Sequence, residues 1–167
     1  DHMLVRGINH FVPHAFSPKY PDPDCPPHFY ARGANPQYRQ FRLLMDYMNR
    51  ACHLFSGGVH VARAGILYHA EAEWSGGEFM KIDEPAKVLY DNQLDYDFIS
   101  LDYLLKAEID KGQKVFRLSG ETYPCMIVPY SEFLPEAAVR KLAELSEAGI
   151  CVIYVNGVPK CSCEGVS

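Results

Sequence analysis

The sequence predicts an α/β fold: an open, mostly parallel sheet with helices on both faces, one inserted β-hairpin, and a loop and long helix ahead of it. Three observations predict this. Short β-branched and apolar runs (VARAGILYH, DYDFIS, TYPCMIVPY, ICVIYV) recur through the second two-thirds of the chain. Helical patterns separate most of them, the signature of βαβ units. A Ser-Gly pair at 119–120 lies between two further apolar runs, as in a tight hairpin.

Taken in order, the segment LVRGINHFVPHAF has a strand-like flavour. A proline-rich stretch follows, SPKYPDPDCPPHFYARGANP, and reads as an irregular loop. A strand with no partner upstream points to a chain that begins inside a domain. Asn35 then suits a helix N-cap and Pro36 the first helical position. Tyr38, Phe41, Leu44/Met45, Met48, Cys52 and Phe55 recur at helical spacing, and Gly57-Gly58 stop the pattern. The spacing predicts a helix over 36–56. A buried parallel strand is expected over 61–69, then a loop over AEAEWSGGEFMKID. A helix opens at Pro85 and runs to Leu94, and a second strand covers 95–100. Ser100 caps an expected helix over LDYLLKAEI, ending near Gly112. KVFRL and TYPCMIVPY flank the tight turn as strands. Pro135 opens a helix with Val139, Leu142 and Leu145 on one face, and ICVIYV is the last buried strand. Right-handed crossovers make this a flavodoxin-like order. The expected division is an N-terminal extension, 1–58 (strand, loop, helix), and a flavodoxin-like domain, 59–167.

Composition narrows the function. The chain has 167 residues and a net charge of −5, so it is a poor partner for a phosphate backbone, and nucleic acid is disfavoured. The longest apolar runs are CVIYV and CMIV, far short of the roughly 20 residues of a membrane span. No charged segment followed by an apolar core opens the chain, and six cysteines without a signal peptide fit a reducing, cytoplasmic setting. Cys52, Cys125 and Cys151 read as small core residues, while Cys161 and Cys163 lie in a polar tail. Two thiols do not make a metal site, which needs about four ligands.

In an open parallel sheet, ligands sit beyond the carboxyl ends of the strands. After the first strand comes His69-Ala70-Glu71-Ala72-Glu73-Trp74. Two carboxylates there would repel phosphate, and Gly76-Gly77 lacks the Gly-x-Gly-x-x-Gly spacing, so neither flavin nor dinucleotide is expected and no cofactor is implied. No cysteine sits in a Gly-x-Cys-x-Gly elbow, which disfavours an amidotransferase. Carboxylates beside an indole are what a sugar site uses: hydroxyl acceptors and a flat apolar face. His69, Glu71, Glu73 and Trp74 are therefore substrate-binding candidates, with a solvated acidic loop and a packed Trp as the alternative. Asn9, His10 and His14 form the other polar group. On a barrel strand His10 and His14 would share one face near the active-site mouth, although Pro13 disturbs the alternation. They are candidates for sugar hydrogen bonding; a metal would need a further ligand such as His28 or Cys25. His53 and His60 read as local packing or capping groups.

The stretch RGINHFVPHAFSP, the proline-rich loop and NPQYRQFRLLMDYMNRACHLFSGG together resemble the end of the catalytic (β/α)₈ barrel in large α-L-rhamnosidase-like glycoside hydrolases. Such chains pair a Gly-x-Asn-x-x-Val-x-His strand with a barrel helix of Tyr-x-x-Arg flavour ending in Gly-Gly. The segments VARAGILYHAEAEW, ETYPCMIVPY and LPEAAVRKLAELSEAGICVIY resemble the flavodoxin-like domain that comes next, and β-galactosidases with a trimerisation domain carry a similar sheet. A complete barrel needs roughly 250 residues, and at most about the first 55 here could belong to one. The carboxylates that do the chemistry in such enzymes sit mainly on earlier strands. The resemblance therefore implies a hydrolase parent, with this chain an accessory and assembly portion, inactive alone. Its implied partners are the missing catalytic barrel and, through the parent, carbohydrate; the oligomeric state is open, a homo-oligomer included. The alternative is a free-standing small-molecule or carbohydrate-binding module.

Overall fold

A computed structural model describes residues 2–14, 16–23 and 28–165. The chain divides into two compact units, residues 1–58 and 59–167.

In the first unit, Leu4–Arg6 forms a single 3₁₀ turn closed by Gly7, and residues 8–14 have no regular structure. The strand expected here is not formed. A strand is completed by a ladder to a neighbour, and among the described residues this unit holds no second strand. The helix α1 runs Tyr38–Phe55. It starts two residues later than the sequence suggests, because Asn35 Oδ1 accepts the Gln37 backbone N–H and its Nδ2 donates to the His28 and Phe29 carbonyls. Asn35 thus closes the turn that delivers the helix rather than capping it.

Rings from the loop pack on the first turns of α1. Phe16 and Phe29 lie 5.3 and 4.9 Å from Phe41, and Tyr30 lies 4.9 Å from Tyr38. Even so, no residue of α1 is fully buried. Leu43, Tyr47 and Leu54 follow one line of the helix, with Leu44 and Phe55 alongside, and all five are exposed, Leu54 by 80%. Of the expected stripe, Phe41, Met45, Met48 and Cys52 are half-buried, whereas Tyr38, Leu44 and Phe55 are exposed. The helix is therefore apolar on two stripes, on one of which Leu43, Leu44, Leu54 and Phe55 stay exposed among the described residues.

In the second unit, β1 (Ala64–Tyr68) is followed by a short helix α2 (Ala70–Trp74), α3 (Asp83–Asp91), β2 (Tyr96–Ser100) and a single turn α4 (Leu101–Leu104). Three antiparallel strands come next: β3 (Glu108–Asp110), β4 (Val115–Leu118) and β5 (Glu121–Tyr123). Then follow β6 (Cys125–Pro129), β7 (Phe133–Leu134), α5 (Glu136–Glu147), β8 (Cys151–Val155) and β9 (Cys161–Ser162), the last pairing with β7. The main sheet is parallel throughout, in the order β2-β1-β6-β8. β1 is an inner strand, as the flavodoxin-like reading requires.

Alternation along the strands builds two cores. Leu67, Ile99, Met126 and Val128 face Ala138, Leu142 and Leu145 of α5, together with Leu104, Phe116 and Tyr123. Ala64, Ile66 and Ile127 face Ala86 of α3 on the opposite side. Helices thus lie on both faces, and Gly65 leaves room within the sheet for the Ile99 side chain of neighbouring β2: a Cβ there would stand 2.4 Å from Ile99 Cδ1.

Four elements differ from expectation. TYPCMIVPY is two strands, β5 in the antiparallel sheet and β6 in the main one, and β8, expected to be buried, lies at the sheet edge with Cys151 and Ile153 exposed. LDYLLKAEI is a helix only to Leu104, because Ile109 pairs with Phe116 across the hairpin sheet and packs on the core; tertiary burial overrides local helix propensity. The AEAEW segment is helix rather than loop. Ala and Glu are strong helix formers, Glu71 and Glu73 favour a helix start, and Ala70 and Ala72 are buried. The Ser119-Gly120 turn is as expected: φ is 51° and 88°, the left-handed pair of a two-residue hairpin. Cys125 and Cys151 are register partners on β6 and β8; Cys125 is half-buried, but Cys151 is exposed rather than a core residue.

Candidate functional site

The structure separates the residues singled out from the sequence. His69 lies between β1 and α2 and is only 1% exposed. Its Nδ1 lies 3.4 Å from the Leu67 carbonyl, its Nε2 has no hydrogen-bond partner, and its ring meets Phe79 edge-on at 6.1 Å. It is walled in and cannot reach a ligand as it stands. Glu71 and Glu73, two apart on α2, point to different sides of the helix, so they do not form an acid/base pair. Trp74 is 81% exposed. It lines neither of the two cavities described below, in contrast to the expected crevice position.

His10 lines a cavity of about 130 Å³ with Asn9, Phe11, Pro13, Met45, Met48, Asn49 and Cys52. Asn9 Nδ2 donates to the Phe55 carbonyl and so ties this segment to the end of α1. His14 is exposed and does not line that cavity. His28 Nδ1 lies 2.6 Å from Ser17 Oγ. Cys25 lies outside the described residues. Among the described residues, no three His, Cys, Asp or Glu side chains come together to hold a metal ion.

The larger cavity, about 400 Å³, lies in the second unit along the free edge of β2. It falls within the size range of small-molecule sites. Its polar wall is a network that the sequence did not reveal. Asp97 receives His60 Nδ1 at 3.1 Å and the Tyr123 hydroxyl at 3.0 Å. Glu121 Oε1 accepts the His60 backbone N–H at 3.0 Å. A carboxylate can only accept, so His60 must carry its proton on Nδ1, which leaves Nε2 of the neutral ring as an acceptor. Burial, with Asp97 beside it, pushes the Tyr123 hydroxyl far above its ordinary pKa, so it stays protonated and donating. The apolar wall is Tyr68, Phe98 and Tyr103, all partly open to solvent. His60, read from the sequence as a capping group, is in fact tied into this network. The one available signal was Asp97 inside a strand, where aspartate is depleted.

The family model of glycoside hydrolase 106, alpha-L-rhamnosidase, matches residues 1–164. The chain belongs to this family. Among solved structures, this glycoside hydrolase family chain is similar to a rhamnosidase from Novosphingobium sp. PP1Y, with a TM-score of 0.54 and 23% identity over 76% of its length. It is also similar to a beta-galactosidase from Bifidobacterium adolescentis, with a TM-score of 0.40 and 20% identity over 57%. The chain spans 12% of the rhamnosidase and 40% of the beta-galactosidase. No curated protein matches it. No helix among the described residues is long and apolar enough to cross a membrane.

Proposed function

We propose that this chain is an accessory and assembly portion of a larger glycoside hydrolase, seated beside the catalytic barrel and without turnover of its own. The observation that carries the proposal is the open stripe of α1. Leu43, Leu44, Leu54 and Phe55 form one apolar helix face that stays exposed among the described residues of their own unit. Burying large apolar side chains contributes about 1.5–3 kcal/mol each, so such a face fits a partner that the chain does not itself supply. The short span of the chain against its rhamnosidase relative leaves ample room for one.

The divergence of the Glu71 and Glu73 carboxylates supports the second half of the proposal. Glycoside hydrolysis needs two carboxyl groups about 5–5.5 Å apart for retention or about 6.5–9.5 Å for inversion, and Glu71 and Glu73 diverge around α2. Trp74, open at the carboxyl end of the inner strand, is assigned to the same docking. In the complete enzyme Trp74→Ala should lower Tm by a few degrees and leave kcat and KM unchanged. A raised KM at constant Tm would instead favour a carbohydrate-binding role for α2 and the binding-module alternative. No change in either quantity would remove Trp74 from both roles.

A further inference from the structure

We infer that Cys125 and Cys151 form a disulfide site that locks the β8 edge of the main sheet when a small-molecule disulfide such as oxidised glutathione is present. The two are the first residues of β6 and β8 and direct register partners across a parallel ladder. Side chains of register partners leave a sheet on the same face. Neighbouring strands lie about 4.8 Å apart, inside the Cα separation of roughly 4.4–6.8 Å that a disulfide spans. The two thiols are free and already in hydrogen-bond contact. The strands need not shift to bring the sulfurs together.

The pair is asymmetric. Cys151 is exposed, and Cys125 is half-buried against the core of Ala64, Ile66, Ala86 and Ile127. Burial, and then the Cys151 thiol beside it, pushes the Cys125 thiol up to about 12. Cys125 therefore keeps its proton and is a poor first nucleophile. Exposure gives the first step to Cys151. Its thiolate attacks the glutathione disulfide, one glutathione leaves as a thiol with the proton from Cys151, and a mixed disulfide remains. Cys125 then attacks the Cys151 sulfur and gives up its proton, and the second glutathione leaves as a thiol. Two protein thiols are oxidised to one disulfide, and one glutathione disulfide is reduced to two thiols. Adjacency offsets the low thiolate fraction of Cys125, because this second step is intramolecular.

The place in the fold gives the bond its consequence. β8 is an edge strand, held by β6 on one side only. The loop that the bond closes, residues 125–151, contains β7 and α5. The bond ties this whole crossover to the inner strand β6 and opposes fraying of the edge. The site lies within the second unit and does not rest on the docking proposed for α1.

The test is to incubate the 167-residue chain with oxidised glutathione, map its disulfides by mass spectrometry without reduction, and record thermal unfolding. A link between Cys125 and Cys151 is expected, with Tm raised by about 5–10 °C and returned to its starting value by dithiothreitol. Cys125→Ser should stop the reaction at the mixed disulfide, with glutathione on Cys151. Cys151→Ser changes only an exposed position, and should leave Cys125 unmodified with no gain in Tm. No reaction at Cys125, glutathione retained on Cys151 of the parent sequence, a link between Cys161 and Cys163 in place of the expected one, or a link that leaves Tm unchanged or lower would overturn the proposal.

Discussion

Replacing Phe116 by alanine is expected to destabilise the second unit by about 3–5 kcal/mol, the range for removing a fully buried phenylalanine. Phe116 is completely buried and stacks on Tyr123 at 5.0 Å between centroids. It joins the hairpin sheet to the core that β1, β2, β6 and α5 share. The void would fall between these layers, where α5 and the sheet cannot both move in to fill it. Thermal unfolding of the variant should show Tm lowered by roughly 10 °C. The damage should also reach the cavity at the edge of β2, because Tyr123 would lose the ring that orients its hydroxyl toward Asp97. A Tm unchanged within a degree or two would mean that Phe116 does not hold the hairpin sheet to the core.

The second large effect concerns α1. Leu54→Asp combined with Phe55→Asp should behave differently in two settings. In the 167-residue chain both side chains are exposed at the end of α1, so stability should fall by only about 1–2 kcal/mol, from helix propensity and the negative end of the helix dipole. In the complete enzyme, where the proposed docking buries them, the loss should be about 3–6 kcal/mol from apolar burial alone, and the two charges would add to it. Denaturant titration of both proteins gives the comparison. Equal and small effects in both would leave the open stripe of α1 without a partner.

Much of the fold is legible because its signals are local and agree with one another. The runs at β1 and β6 are too apolar for a sheet with an open face, so they predict a parallel, doubly covered sheet, whereas the equally apolar β8 lies at the edge and leaves Cys151 and Ile153 exposed. Ser119-Gly120 demands a tight hairpin by backbone geometry alone. Failures come where distant contacts decide. Leu105 to Ile109 has helical composition, but the pairing of Ile109 with Phe116 draws the chain into β3. The segment around His10 has strand composition and no neighbour to pair with. The alanines and glutamates of α2 favour helix, and the burial of Ala70 and Ala72, which five residues of sequence do not announce, fixes it.

The site was less legible than the fold. His69 looked like a ligand group because it follows a strand, but its burial beside Phe79 depends on packing that no short motif encodes. Conversely, His60, Asp97, Glu121 and Tyr123 are scattered over some sixty residues. Only the parallel pairing of β1 with β2, and the hairpin after α4, bring them to one groove. Spacing along the chain carries no trace of that meeting.

The claim that this chain assists hydrolysis rather than performing it is tested most directly by assaying the purified 167-residue chain with an aryl α-L-rhamnoside, beside its Glu71→Gln and Glu73→Gln variants. The expected release of the aryl alcohol is indistinguishable from the buffer rate in all three, because the two carboxylates lie on different sides of α2. Steady turnover by the parent sequence, abolished by either glutamine, would contradict the claim and place a catalytic centre on α2.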